Sequence, residues 1–265
     1  MNHFRSIRAL VFDLDGTLLN SRKKLSERTQ NALLRCGQLG LDLFIATARP
    51  PRSVKALLPS IIMKNVSAVY YNGAYCRDLS GNTSSFTISP AIAAKIITQV
   101  CRNKEQDKLS IESEDVLYAL SNAVYEQNRK HMFVPPTVVS EKRLASIPAN
   151  KLLLFHCSTE TKHYIMNFGA QLSVVETDAG ELLQIMEKQI SKASAVSAIC
   201  QKHAISMRQV AAFGDDWNDL DLFKACGYSV AMGNATPGLE KDATMRTGTN
   251  DEDGVAQILE KWFLN

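Results

Sequence analysis

No CxxC pair and no zinc-ligand spacing occurs among the six cysteines of this chain, which lie far apart at 36, 76, 101, 157, 200 and 226. No segment approaches the roughly 20 apolar residues of a membrane span, and Met1 to Arg8 carries charge without an apolar core long enough for secretion. The cysteines therefore read as reduced thiols, and the expected location is cytoplasmic. An excess of either charge is also missing: 30 basic and 27 acidic residues are well mixed and leave a formal charge of +3. That balance argues against a nucleic-acid stripe or a polybasic membrane patch, so neither nucleic acid nor membrane is an expected partner. There is no internal repeat or low-complexity tract. What remains is a 265-residue chain of 45% hydrophobic content, enough for a sizeable core in one large domain or two modest ones.

The rhythm of the chain divides it further. Ile7 to Phe12 is an apolar run with the character of a buried strand, followed by a helix from about Ser26 to Leu39 with Ser26 as cap and Gly40 as stop. Leu41 to Ala46 is a second strand, Arg52 to Leu58 a helix, and Ser67 to Tyr71 a third strand. Strands separated by helices predict parallel crossovers and a Rossmann-like, doubly wound α/β sheet. From about residue 80 the pattern changes. Strands are expected at Thr83 to Ile88, Leu109 to Glu112, Val116 to Leu120, Lys151 to Cys157, Leu172 to Thr177 and Leu182 to Met186. Helices are expected at Pro90 to Arg102, Asn122 to His131 and Thr161 to Gly169. The first rhythm then returns, with helices at Lys192 to His203 and Asp219 to Ala225 and strands at Val210 to Phe213 and Ser229 to Met232. The organisation expected is a core made of residues 1–80 and 188–265, with an α+β cap domain, 81–187, inserted between its halves.

Chemistry gathers at the ends of the core strands. Asp13-Leu14-Asp15-Gly16-Thr17 follows the first strand, and in open α/β sheets ligands collect outside the carboxyl ends of the strands. Two carboxylates on alternate residues point the same way only while the backbone stays extended, and so close a pair repels unless a cation or proton compensates it. Magnesium suits it, being held by one or two carboxylates plus phosphate oxygens. The other reading is a solvated acidic turn. Thr47 ends the second strand, where its hydroxyl and neighbouring amides suit phosphate or simply cap the next helix. Lys192 opens a helix, as a phosphate-neutralising ammonium or a solvated side chain. Gly214-Asp215-Asp216-Trp217-Asn218-Asp219 then follows a third strand with too many acids for a simple turn. Asp215, nearest the strand tip, is the best third metal ligand, and Asn218 can donate to phosphate. Asp219 is left between a supporting group and a helix cap, and Asp216 and Trp217 read as local structure or contacts with the inserted domain.

In order and place these segments, with Thr47-Ala48-Arg49, resemble the haloacid dehalogenase (HAD) superfamily of aspartyl phosphotransferases. The insertion, Asn72-Gly73-Ala74 and Val230-Ala231-Met232-Gly233-Asn234-Ala235 resemble its Cof-type subfamily IIB of small-molecule phosphatases. The resemblance implies Asp13 as nucleophile and metal ligand, and Asp15 as general acid and base that also offers its backbone carbonyl to Mg2+. It implies Asp215 as the remaining metal ligand. Leu14, Thr47, Ala48, Lys192 and Asn218 would hold the phosphate, the first and third through backbone amides. Family members commonly carry Gly where Ala48 and Ala193 stand, and Ala48 would tighten the approach of phosphate. The expected activity is a magnesium-dependent phosphatase for small phosphorylated metabolites, with phosphosugars foremost and the inserted domain as lid. A phosphomutase and a phospho-aspartyl signalling module are the alternatives. As an assembly, a monomer or weak homo-oligomer is expected.

Overall fold

The computed structural model describes residues 3–128, 134–177 and 180–264. The chain divides into two compact units, Met1–Ser84 with Ser191–Asn265, and Ser85–Ile190.

The discontinuous unit is built on an eight-stranded sheet. Its order runs Met245–Arg246, Tyr228–Ala231, Val210–Gly214, Ala9–Phe12, Asp42–Ala46, Ser67–Tyr70, Tyr75–Arg77 and Thr83–Ser85. The first six strands are parallel, and Tyr75–Arg77 turns back antiparallel on Ser67–Tyr70. Starting at Ala9–Phe12 the chain winds outward in one direction to residue 70, and starting at Val210–Gly214 it winds outward in the other. The two innermost strands therefore flank the switch point, the place where an α/β sheet opens a crevice at its carboxyl edge. Ala9–Phe12 and Val210–Gly214 are buried at every position, because a strand covered on both faces has no side that can be polar. Helix Glu27–Gln38 starts where Ser26 accepts a hydrogen bond from the Thr29 amide and buries Ala32, Leu33 and Cys36. Helix Lys192–Lys202 begins with a capping box made by Ser191 and Ser194.

The inserted unit holds a six-stranded sheet in the order Leu172–Thr177, Leu182–Glu187, Lys151–Phe155, Leu109–Ser113, Val116–Ala119 and Thr137–Val138. Its pairings are antiparallel except the last. Alternation decides which side packs: Ile111, Leu152, Leu154 and Ile185 join Ile96, Ile97 and Val100 of helix Pro90–Arg102 in one apolar cluster. The sheet's other face carries Glu112 directly opposite Lys151, both buried, with Lys151 Nζ donating to Gln184 Oε1 at 2.7 Å. Burial pulls the Lys151 ammonium down to about 8, against the attraction of Glu112.

Several expected boundaries move. The strand expected over Thr83 to Ile88 shrinks to Thr83–Ser85, and the helix expected over Asn122 to His131 is Ala123–Gln127 as far as it is described; residues 129–131 lie outside the described residues. Several short elements were not expected, among them Ser60–Met63, Thr137–Val138, Glu141–Leu144 and Met245–Arg246, and two others show why. Tyr75–Arg77 is too short to show a period, and Gly254–Leu259 closes the chain as a helix whose continuation, Glu260–Leu264, buries Trp262 against Phe4 with ring centroids 4.5 Å apart. No helix among the described residues is long and apolar enough to cross a membrane.

Candidate active site

Parallel pairing sets the site. Phe12 is in register with Phe213 on one side and Ile45 on the other, so the residues that follow these strands emerge together: Asp13, Thr47 and, one step after Gly214, Asp215. The Asp13 amide still donates to Phe213 O at 3.0 Å and the Thr47 amide to Val69 O at 2.9 Å, which carries the ladder right up to these candidate side chains. Both are buried, Asp13 at 6% and Thr47 at 1% exposure.

The strand ends at Phe12, so the extended backbone that would point both acids the same way is not present. Asp13 and Asp15 part into different surroundings. Asp13 Oδ1 accepts from Lys192 Nζ at 2.5 Å, and the same ammonium donates to Asp219 Oδ1 at 2.7 Å. Lys192 is thus no solvated helix-start residue; its side chain is wholly buried, with a carboxylate on either hand. Asp15 instead receives Arg49 Nε at 2.5 Å and Nη2 at 2.8 Å, and Lys23 Nζ at 2.8 Å.

The electrostatics follow. Burial pushes the Asp13 carboxyl up and Lys192 pulls it back, while Asp219 and Asp215 add to the rise. Asp215 is pushed up to about 7, first by burial and then by Asp219, with the Thr17 hydroxyl opposing at 3.1 Å. For Lys192, burial alone would lower the value, but Asp13 and Asp219 together hold it raised and the ammonium charged. Burial would also raise Asp15, yet the hydrogen bonds from Arg49 and Lys23 outweigh it and keep that carboxyl below its ordinary range.

Carboxylate oxygens of Asp13, Asp215 and Asp219 lie within 4.8 Å of one another. Asp219 is spoken for: it is fully buried, paired with Lys192, and its Oδ2 accepts from the amides of Asp215 and Asp216 at 3.1 and 3.3 Å. Asp13 and Asp215 face a cavity of about 340 Å³. Two acids raised by burial and by neighbouring carboxylates, in a pocket wide enough for oxygen ligands, fit a hard divalent cation.

Thr47 and Ala48 line this cavity as well, as do Asp15, Gly16, Lys23, Asp216 and Asn218. The Asn218 amide donates to Asn72 Oδ1 at 3.4 Å. Leu14 is fully buried beneath the loop and its side chain has no place in the chemistry; Lys192 acts on the cavity through Asp13. Asp216 caps the short Trp217–Asp219 turn and Trp217 stays half exposed. Sequence reading gave Arg49 and Lys23 no role, since nothing in a local motif shows that they close on Asp15.

Two glycines make the crowding possible. A Cβ on Gly214 would sit 2.4 Å from Asp219 Cγ, and one on Gly16, whose φ is +77°, would sit 2.0 Å from Asp215 Oδ2. Gly16→Ala is therefore expected to cost about 1–3 kcal/mol of stability and to displace Asp215. Its check is thermal unfolding with and without a divalent cation: the variant should lose the cation-induced rise in Tm, and an unchanged rise would contradict this role.

A family model of haloacid dehalogenase-like hydrolases matches residues 10–259. The chain belongs to this family. It is similar over nearly its whole length to curated relatives. The 5-amino-6-(5-phospho-D-ribitylamino)uracil phosphatase YitU of Bacillus subtilis is 25% identical, with 96% of this chain and 97% of the relative covered. Pyridoxal phosphate phosphatase YbhA of Escherichia coli is 25% identical, with 95% and 97% covered. Among solved structures, TM0651 of Thermotoga maritima superposes with a TM-score of 0.86 at 25% identity, covering 96% of this chain and 97% of that one. This haloacid dehalogenase-like hydrolase is a phosphatase, with a parallel α/β core as expected.

Proposed function

We propose that the protein is a magnesium-dependent phosphatase of small phosphate monoesters, foremost sugar or sugar-alcohol phosphates, working through an aspartyl phosphate on Asp13. The observation that carries this is the Asp13 carboxylate held by buried Lys192 beside Asp215, at the floor of a small cavity on the switch point. Lys192 fixes one oxygen of Asp13 and so sets the direction in which the carboxylate meets phosphorus. A magnesium ion held by Asp13, Asp215 and the Asp15 carbonyl would supply charge stabilisation to the phosphoryl oxygens.

Asp13 attacks phosphorus in line, a bond forms from its oxygen, and the ester P–O bond breaks. Asp15, a carboxylate in the free protein, first takes up a proton, against the pull of Arg49 and Lys23; it gives that proton to the departing alkoxide and then takes one from the water that attacks the aspartyl phosphate. Inorganic phosphate leaves and the Asp13 carboxylate is restored. Thr47, the amides of Leu14 and Ala48, and Asn218 hold the remaining phosphoryl oxygens in this scheme, with Lys192 neutralising charge beneath them. The uracil and pyridoxal phosphatases among the relatives favour a phosphate on a primary alcohol of a small polar molecule.

Chelation with EDTA tests the metal. Hydrolysis of p-nitrophenyl phosphate is expected to fall to background and to return on adding Mg2+. Turnover unchanged by chelation would overturn the metal assignment. A screen against phosphorylated sugars, nucleotides and cofactors then ranks substrates; product isomers in place of free phosphate would favour a mutase.

A further inference from the structure

Asp15 is held by two cations at once. Arg49 places a planar fork on it, Nε to Oδ2 and Nη2 to Oδ1, and Lys23 adds a third hydrogen bond to Oδ1. The backbones that aim these side chains are themselves fixed. The Arg49 amide donates to Thr47 Oγ1 at 3.2 Å and its carbonyl accepts from Tyr71 N at 3.3 Å, so the phosphate-side threonine and the arginine share one loop. Lys23 stands in left-handed conformation, φ 56°, in a turn closed by Asn20, whose Oδ1 accepts from the amides of Arg22 and Lys24 at 3.0 Å each. A non-glycine residue in that region costs free energy, and here it brings an ammonium to the cavity.

Stability does not account for the Lys23 contact: partly exposed ion pairs contribute about 0–1 kcal/mol, and the Asp15 and Lys23 side chains are 33% and 53% exposed. A guanidinium fork, by contrast, fixes the plane of a carboxylate, which a point charge does not. We propose that Arg49 is a positioning residue that orients the Asp15 carboxylate for proton transfer, and that Lys23 is the exposed, releasable half of the same clamp. Oδ1 accepts from Arg49 and Lys23 together, so the Lys23 hydrogen bond must be released to open a lone pair of Oδ1 toward a leaving oxygen. Lys23, lining the cavity on a flexible stem, is the cation that an arriving phosphate dianion draws away, while the Arg49 fork keeps the carboxylate aligned.

This inference rests on the phosphatase proposal and on the role of Asp15 in it. The test is the single-turnover rate of phosphoenzyme formation, by rapid quench, with an alkyl phosphate such as glycerol phosphate and with p-nitrophenyl phosphate. The alkoxide needs a proton to leave and the nitrophenolate scarcely does. Arg49→Ala is expected to slow the alkyl reaction by about 10² and the aryl reaction by less than about tenfold, within the range of general acid catalysis. Added guanidinium should restore part of the alkyl rate, and Arg49→Lys should fall between. Lys23→Ala should raise KM for both substrates by a few-fold and leave the alkyl-to-aryl ratio alone. Equal slowing of both substrates by Arg49→Ala, or no rescue, would overturn the inference while leaving the phosphatase proposal intact. An unmodified enzyme that forms no phosphoenzyme with either ester would overturn both.

Discussion

Asp13→Asn is expected to abolish turnover, lowering kcat by about 10⁴-fold or more, because the amide oxygen is a poor nucleophile and no neighbouring group can take its place. Asp215, Asp219 and Asp15 are nearby, but each is committed elsewhere: to the cavity edge beside Thr17, to Lys192, and to Arg49 with Lys23. The substitution is nearly isosteric, and it removes one charge from a crowded acidic site, so the fold should hold or gain slightly. The informative result is the combination. Full stability with lost turnover marks chemistry; steady-state hydrolysis of p-nitrophenyl phosphate and a thermal unfolding curve measure the two halves. A variant that keeps even a tenth of the parental kcat would remove Asp13 from the role of nucleophile.

The second large effect belongs to Lys192. Its ammonium is fully buried between Asp13 and Asp219, which are themselves almost inaccessible. Removing one partner of a buried ion pair costs about 3–5 kcal/mol, because the remaining charges are left without compensation in a poor solvent. Lys192→Met is expected to lose stability of that order as well as activity. Adding Asp219→Asn should recover part of the stability and none of the activity, since it removes one stranded carboxylate without replacing the cation. Urea unfolding midpoints of the single and double variants give the comparison. A Lys192→Met protein as stable as its parent would contradict the buried triad.

The placing of most candidate site residues was legible because they follow strands whose apolar runs declare themselves. Once Ile7 to Phe12, Leu41 to Ala46 and Val210 to Phe213 are recognised as buried parallel strands, Asp13, Thr47 and Asp215 must emerge at one edge. Lys192 was legible only through its order along the chain; what the fold adds is the depth at which it sits. Asp219 was undecided between cap and support because both need an acid at that spacing. Gly214 was the available signal: a residue without Cβ directly after a strand leaves room for the Asp219 carboxylate, which approaches to distances a side chain would forbid.

The partners of Asp15 were not legible. Arg49 is 34 residues away and Lys23 lies in a turn, and each is an ordinary surface cation until the fold closes. The condition under which Asp13 and Asp15 would point the same way, an extended backbone, is not met: the strand ends at Phe12, Leu14 already lies in a turn, and each acid meets its own cations. In the inserted unit no motif marks Lys151, whose interest comes wholly from being buried opposite Glu112. The closing helix Gly254–Leu259 carries its apolar side chains at ordinary helical spacing and owes its place to packing at the chain's two ends.

The covalent step is the centre of the account, and it has a direct measurement. Enzyme mixed with excess p-nitrophenyl phosphate and Mg2+ is quenched in acid on the millisecond scale, digested, and searched by mass spectrometry for an acid-stable phosphoryl adduct. The account predicts one phosphoryl group on Asp13, at an occupancy that rises within the first turnover and is absent from Asp13→Asn. Turnover without any such adduct in the pre-steady state, or a phosphoryl group on another residue, would contradict it.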